Sequence, residues 1–149
     1  MDINTRAANI KLVAFDIDGV MTDGGLHYTD DGHELKTFNV QDGLGVVLLR
    51  RSGIKVAIIT GRTSNVVSCR AKDLGVEHVF HGVGDKGAVS GQLLEQLGLQ
   101  WSELAFMGDD LIDLPAMTRC APWALLPTSR RWIRSLAKSK AAGRPLHRA

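Results

Sequence analysis

Residues 11–17 read KLVAFDI, an apolar run of strand length that passes straight into Asp18 and Gly19. A run without alternation suits a strand buried on both faces, as in a parallel sheet covered by helices. Similar runs return at residues 55–60 (KVAIIT), at 78–80 and at 104–107, the last ending in Gly108, Asp109 and Asp110. Between them lie segments with helical spacing. Asp42 is the expected N-cap of a helix with Leu44, Val47 and Leu48 on one face, closed by Ser52 and Gly53. Thr63 or Ser64 opens a second helix that reaches about Leu74, with Gly75 in a left-handed position after it. Gly84 or Asp85 opens a third, through Leu97 to Gly98. Strand and helix alternate, so the expected fold is α/β: a doubly wound, Rossmann-like parallel sheet with right-handed crossovers.

One segment breaks the alternation. Residues 24–39 (GGLHYTDDGHELKTFN) alternate loosely around Asp30, Asp31 and Gly32, residues that tolerate tight-turn geometry, and read as a β-hairpin inserted after the first strand. The 149 residues, 44% of them hydrophobic, suffice for one domain with a substantial core and not for two ordinary ones. No apolar run is long enough to span a membrane and the N-terminus has no leader pattern, so a cytoplasmic protein without membrane contact is expected. The two cysteines, Cys69 and Cys120, sit in no metal or redox motif and read as free thiols. The five histidines form no ligand pattern.

Charge is divided unevenly along the chain. All 16 acidic residues lie at or before Asp113, whereas 8 of the 18 Lys and Arg lie beyond it together with Trp123 and Trp132. Residues 10–118 are therefore taken as the domain and 119–149 as a divergent basic tail. Tryptophans among basic residues can signal nucleic-acid stacking. No nucleic-acid motif accompanies them, so no nucleic-acid partner is expected.

In α/β sheets ligands bind beyond the carboxyl ends of the strands. That rule gathers Asp16, Asp18, Thr60, Asp109 and Asp110 into one place. Carboxylates crowded this way are costly without a cation, and an all-oxygen donor set suits a hard one such as Mg²⁺. An aspartate can also attack phosphorus and form an aspartyl-phosphate. Asp16 is the candidate nucleophile and Asp18 the candidate acid and base, protonating the leaving alcohol and then deprotonating water. Thr60 and Lys86 would hold the phosphoryl oxygens. Asp110 reads equally as a helix N-cap, while Asp113 returns to the face of Asp109 at i to i+4 spacing. Two other classes fit part of this pattern: a receiver-like signalling domain phosphorylated on aspartate, and a catalytically weakened scaffold. A carboxylate two residues after the acceptor favours hydrolysis over signalling, because it would make the aspartyl-phosphate short-lived.

The stretches AFDIDGV, IITGR, GDKG around Lys86, and GDDLID resemble, in order and spacing, the four motifs of the haloacid dehalogenase superfamily. More narrowly, DIDGVMTDGGLHY, ELKTFNVQDG and GDDLIDLP resemble its 3-deoxy-D-manno-octulosonate 8-phosphate phosphatases, which serve lipopolysaccharide sugar synthesis. The resemblance covers about residues 10–117. It implies a fold without a large cap domain and a Mg²⁺ cofactor held by Asp16, Asp109 and the backbone carbonyl of Asp18, with Asp113 supporting that shell. It further implies a small sugar-acid phosphate as substrate, contacted by Asn39, Val40, Gln41, Asp42, Gly43, Arg62, Arg70 and Lys86. Homotetramers in which the inserted hairpins pack together are also implied. Val47 stands where relatives carry a basic substrate contact, and residues after Met117 do not follow the family pattern.

Overall fold

The computed structural model of the chain describes residues 7–120. Four parallel strands form one sheet: β1 (Leu12–Phe15), β4 (Lys55–Ile59), β5 (His78–Phe80) and β6 (Leu104–Met107), in the order β5-β4-β1-β6. β1 is central, with Phe15 beside Ile58 of β4 on one edge and Met107 of β6 on the other. The chain builds outward from β1 through β4 to β5, then crosses back to lay β6 on the opposite side of β1. That reversal opens a crevice at the carboxyl end of β1, where α/β sheets accept ligands.

The helices are α1 (Val40–Arg51), α2 (Asn65–Asp73), α3 (Lys86–Leu97) and the single turn α4 (Leu114–Met117). The strands feed two cores by simple alternation. Val13, Phe15, Val56, Ile58, Ala105 and Met107 pack with Val46 and Leu49 of α1 and Val67 and Ala71 of α2. Leu12, Ala14, Ala57, Ile59, Leu104 and Phe106 pack with Leu93 and Leu94 of α3 and Ala116 and Met117 of α4. The sheet is thus covered on both faces, and its strands lack polar alternation for that reason. Val47, the departure from the family pattern, packs partly buried against the first core.

Local signals set most boundaries. Asp85 caps α3 by accepting the amide of Ala88 at 2.9 Å, and Gly98 closes it at φ +65°. Helix α1 differs from expectation: its N-cap is Asn39, whose Oδ1 accepts the amide of Gln41 at 2.7 Å, and Asp42 is buried in the first turn. Both residues can cap, and Asn39 wins because the helix begins one turn earlier than the apolar spacing suggests.

The inserted hairpin is present and minimal. Strands β2 (His27–Tyr28) and β3 (Glu34–Leu35) pair antiparallel, His27 opposite Leu35 and Tyr28 opposite Glu34. Its Leu26, Tyr28 and Leu35 are exposed. Such a short pairing is not stable alone and must be held by contacts elsewhere. Cys69 and Cys120 are free thiols, and no described helix is long and apolar enough to cross a membrane. At the end of the described chain, Arg119 lies over the ring of Trp101 at 4.1 Å and Cys120 is buried. Trp123, Trp132 and the rest of the basic tail lie outside the described residues.

Candidate active site

The ends of β1, β4 and β6 converge on a cavity of about 400 Å³ lined by Asp16, Asp18, Gly19, Thr60, Arg62, Asp109 and Asp110, among others. Backbone pairing carries each strand's registry into the loop that follows it. The amide of Asp16 donates to the carbonyl of Met107 at 2.9 Å, and that of Thr60 donates to Phe80 at 2.9 Å. Both residues are therefore set by the sheet and buried, with Asp16 only 5% exposed and Thr60 1%.

Beneath the cavity lies a buried charge triad. Lys86, the first residue of α3, is completely buried, its Nζ 2.9 Å from Asp16 Oδ1 and 2.5 Å from Asp113 Oδ1. The other oxygen of Asp113 accepts the amides of Asp109 at 2.9 Å and Asp110 at 3.0 Å. Asp113 thus folds the β6 loop back on itself and aims Lys86 at Asp16. Gly108 permits this, since a Cβ there would lie 2.3 Å from Asp113 Cγ. Asp110 lines the cavity and also caps the short turn that follows, Oδ1 accepting the amide of Leu111 at 2.6 Å, so both readings of it hold together.

Burial pushes the Asp16 carboxyl above the usual range, against the pull of Lys86. Burial likewise raises Asp109, and the nearby charges of Asp113 and Asp110 add to it. The site is therefore short of positive charge. Ligand oxygens of Asp16, Asp109 and Asp113 lie within 4.8 Å of one another, the spacing of a cation site. Because Asp113 already serves Lys86 and two amides, the oxygens of Asp16 and Asp109 are the ones suited to hold a hard divalent ion. The donor chemistry fits Mg²⁺.

Gly19 closes this corner. Its φ is +83°, and a Cβ on it would sit 1.8 Å from Asp109 Oδ2. Gly19→Ala is expected to displace Asp109 and weaken Mg²⁺ binding about 10- to 100-fold. Calorimetric titration with Mg²⁺ measures this, and unchanged affinity would show that Asp109 is not a ligand.

The remaining predicted contacts separate. Arg62 lines the cavity, its Nε 3.8 Å from Asp18 Oδ2. Asn39, Val40, Gln41, Asp42, Gly43 and Arg70 do not line it. Arg70 instead reaches over Gly43, where a Cβ would meet its Nη2 at 2.3 Å, with its Cζ 5.8 Å from the Phe38 ring. Two residues absent from the sequence reading stand at the cavity's edge through the hairpin. Lys36 Nζ lies 2.5 Å from Asp18 Oδ1 and 3.1 Å from Glu34 Oε1, and Glu34 also accepts from Arg62 Nη2 at 3.0 Å. The available signal is a pair of opposite charges, Glu34 and Lys36, two residues apart on the returning arm of the hairpin.

No family model matches the chain. Its fold is shared with a protein from Legionella pneumophila assigned to subfamily III A of the haloacid dehalogenase hydrolases, at TM-score 0.82 and 36% identity over 94% of this chain and 86% of that one. Nearer in sequence is the 3-deoxy-D-manno-octulosonate 8-phosphate phosphatase KdsC of Yersinia pestis, 47% identical over 118 residues, which are 79% of this chain and 63% of that protein. The crystal structure of the corresponding phosphatase from Moraxella catarrhalis, in complex with magnesium, phosphate and KDO, superposes at TM-score 0.77 with 47% identity, covering 79% of this chain and 68% of that one. The chain belongs to the 3-deoxy-D-manno-octulosonate 8-phosphate phosphatase family of the haloacid dehalogenase superfamily. It spans slightly under two thirds of the length of the curated relatives it matches.

Proposed function

We propose that the protein is a Mg²⁺-dependent phosphomonoesterase that hydrolyses a small sugar-acid phosphate, foremost 3-deoxy-D-manno-octulosonate 8-phosphate, in lipopolysaccharide biosynthesis. The observation that carries this reading is the buried Asp16 held by Lys86 at 2.9 Å, beside Asp109, at the mouth of one cavity. The magnesium, phosphate and sugar acid in the Moraxella catarrhalis relative support the substrate class.

In this reading Asp16 attacks phosphorus while the alcohol leaves. Asp18 gives that alcohol a proton, then takes one from the water that cleaves the aspartyl-phosphate. Thr60 and Lys86 hold the phosphoryl oxygens, and Asp113 keeps Lys86 pointed at them. When bound, Mg²⁺ neutralises charge on the phosphoryl group and on the carboxylates that surround it. Arg62, exposed at the cavity rim, is the cation best placed for the substrate's own carboxylate. Asn39 to Gly43 and Arg70 would reach substrate only across a subunit boundary or after movement of α1.

We further propose a homotetramer joined through the hairpins, supported by the exposure of Leu26, Tyr28 and Leu35 on an element too small to stand alone. A cytoplasmic location is part of this proposal: a multiply charged sugar phosphate does not cross a bilayer and is hydrolysed on the side where it is made. A phosphate-release screen of sugar phosphates, with Mg²⁺ and with chelator, tests the reading. Octulosonate 8-phosphate should rank first and chelation should abolish release. Release that survives chelation, or preference for neutral sugar phosphates, would overturn it.

A further inference from the structure

The hairpin does more than offer an outer surface. Its strand β3 turns Leu35 outward, 55% exposed, while Glu34 and the following residue, Lys36, face inward, with the Lys36 side chain only 1% exposed and that of Glu34 14%. This reverses the usual placement of apolar and charged residues on a half-buried strand. A cation buried so fully requires partners of good geometry, and those partners fix where it sits.

The partners form one connected network. Lys36 Nζ holds Asp18 Oδ1 at 2.5 Å, and Arg62 Nε stands 3.8 Å from Asp18 Oδ2, so each carboxylate oxygen faces a different cation. Glu34 bridges the two cations, at 3.1 Å from Lys36 and 3.0 Å from Arg62. Arg62 Nη2 also donates to the hydroxyl of Tyr28 on β2 at 2.8 Å. Lys36, the residue after β3, and Arg62, in the loop after β4, thus hold a single carboxylate at the cavity edge, while Tyr28 of β2 and Glu34 of β3 hold those cations in place.

We propose that Lys36 is a positioning residue for the acid and base Asp18, so that docking of the hairpin against the sheet is a condition of turnover. The inference rests on the phosphatase reading above, since it assigns Lys36 a task in that reaction. Lys36 touches Asp18 and not the reacting phosphorus. Its loss should leave substrate affinity in place and misdirect proton transfer, and misplacement of a catalytic group costs on the order of 100-fold.

The test is a cycle of Lys36→Met and Asp18→Asn, measured as kcat and KM for p-nitrophenyl phosphate and for the preferred sugar phosphate. Lys36→Met should lower kcat for the sugar phosphate on the order of 100-fold with KM changed by less than about threefold. In the Asp18→Asn background the same change should lower kcat no further, because the two residues act as one unit. Lys36→Arg, which keeps the charge but moves it, should recover part of the loss. Equal losses in both backgrounds, or an effect confined to KM, would overturn the proposal. If thermal melting finds Lys36→Met unfolded, Lys36→Arg runs the same cycle, with a loss expected in the parent and none in Asp18→Asn. A parent protein that folds but releases no phosphate from any substrate overturns the phosphatase reading itself, a result distinct from additive losses in an active enzyme.

Discussion

Asp16→Asn is expected to lower Mg²⁺-dependent phosphate release on the order of 10⁴-fold or more, as loss of an enzymic nucleophile does. The variant should still fold. Asp16 is a carboxylate whose burial works against its charged form, and an amide of the same shape relieves that cost while Lys86 keeps Asp113 at 2.5 Å. The effect should therefore fall on chemistry and on metal binding. In the metal-free parent, carboxyls raised at Asp16 and Asp109 bind protons in the folded state that the unfolded chain has already lost. Stability from this pair accordingly falls as pH rises through the raised range, and it recovers when a cation takes the proton's place. The thermal upshift produced by Mg²⁺ should be larger at about pH 7.5 than at about pH 5, and should be nearly lost in Asp16→Asn. An equal upshift in parent and variant would remove Asp16 from the metal site.

Lys86→Met is expected to do the most damage to folding and to lower activity as well. It strips the cation from two buried carboxylates, and breaking a buried pair by removing one partner costs about 3–5 kcal/mol. For a domain of this size that amounts to a fall in melting temperature of about 10 °C or more. Turnover should fall by at least about 10²-fold, the expected cost of losing the donor proposed for the phosphoryl oxygens. Mg²⁺ should restore part of the stability and none of the donor. Differential scanning calorimetry with and without Mg²⁺ separates these contributions, and a variant as stable as the parent would contradict the triad's importance.

Much of the site was legible in the sequence because strand ends are marked twice, by the close of an apolar run and by the polar residue that follows. That double mark places Asp16, Thr60 and Asp109 at strand ends, which the structure brings together at one cavity, and the alternation of Leu12 to Phe15 between two cores explains why the run carries no polar signal. Lys86 needed more. Alone it is one lysine at a helix start, and only its place between Asp16 and Asp113, 27 positions further on, gives it meaning. The N-cap of α1 was misplaced because Asn39 and Asp42 both satisfy the local rule and tertiary burial of Asp42 decides between them. Lys36 escapes for a related reason: a lysine on a short hairpin is ordinarily a solvated one, and its partner Asp18 lies 18 positions earlier, in the loop after β1.

The most direct test of Asp16 as nucleophile is rapid acid quench of the Asp18→Asn protein with substrate and Mg²⁺, followed by peptide mass spectrometry. Slowed hydrolysis of the intermediate should leave a phosphoryl group on the peptide that contains Asp16, and on no other. Phosphate release without such an adduct, or an adduct on a different residue, would contradict the account.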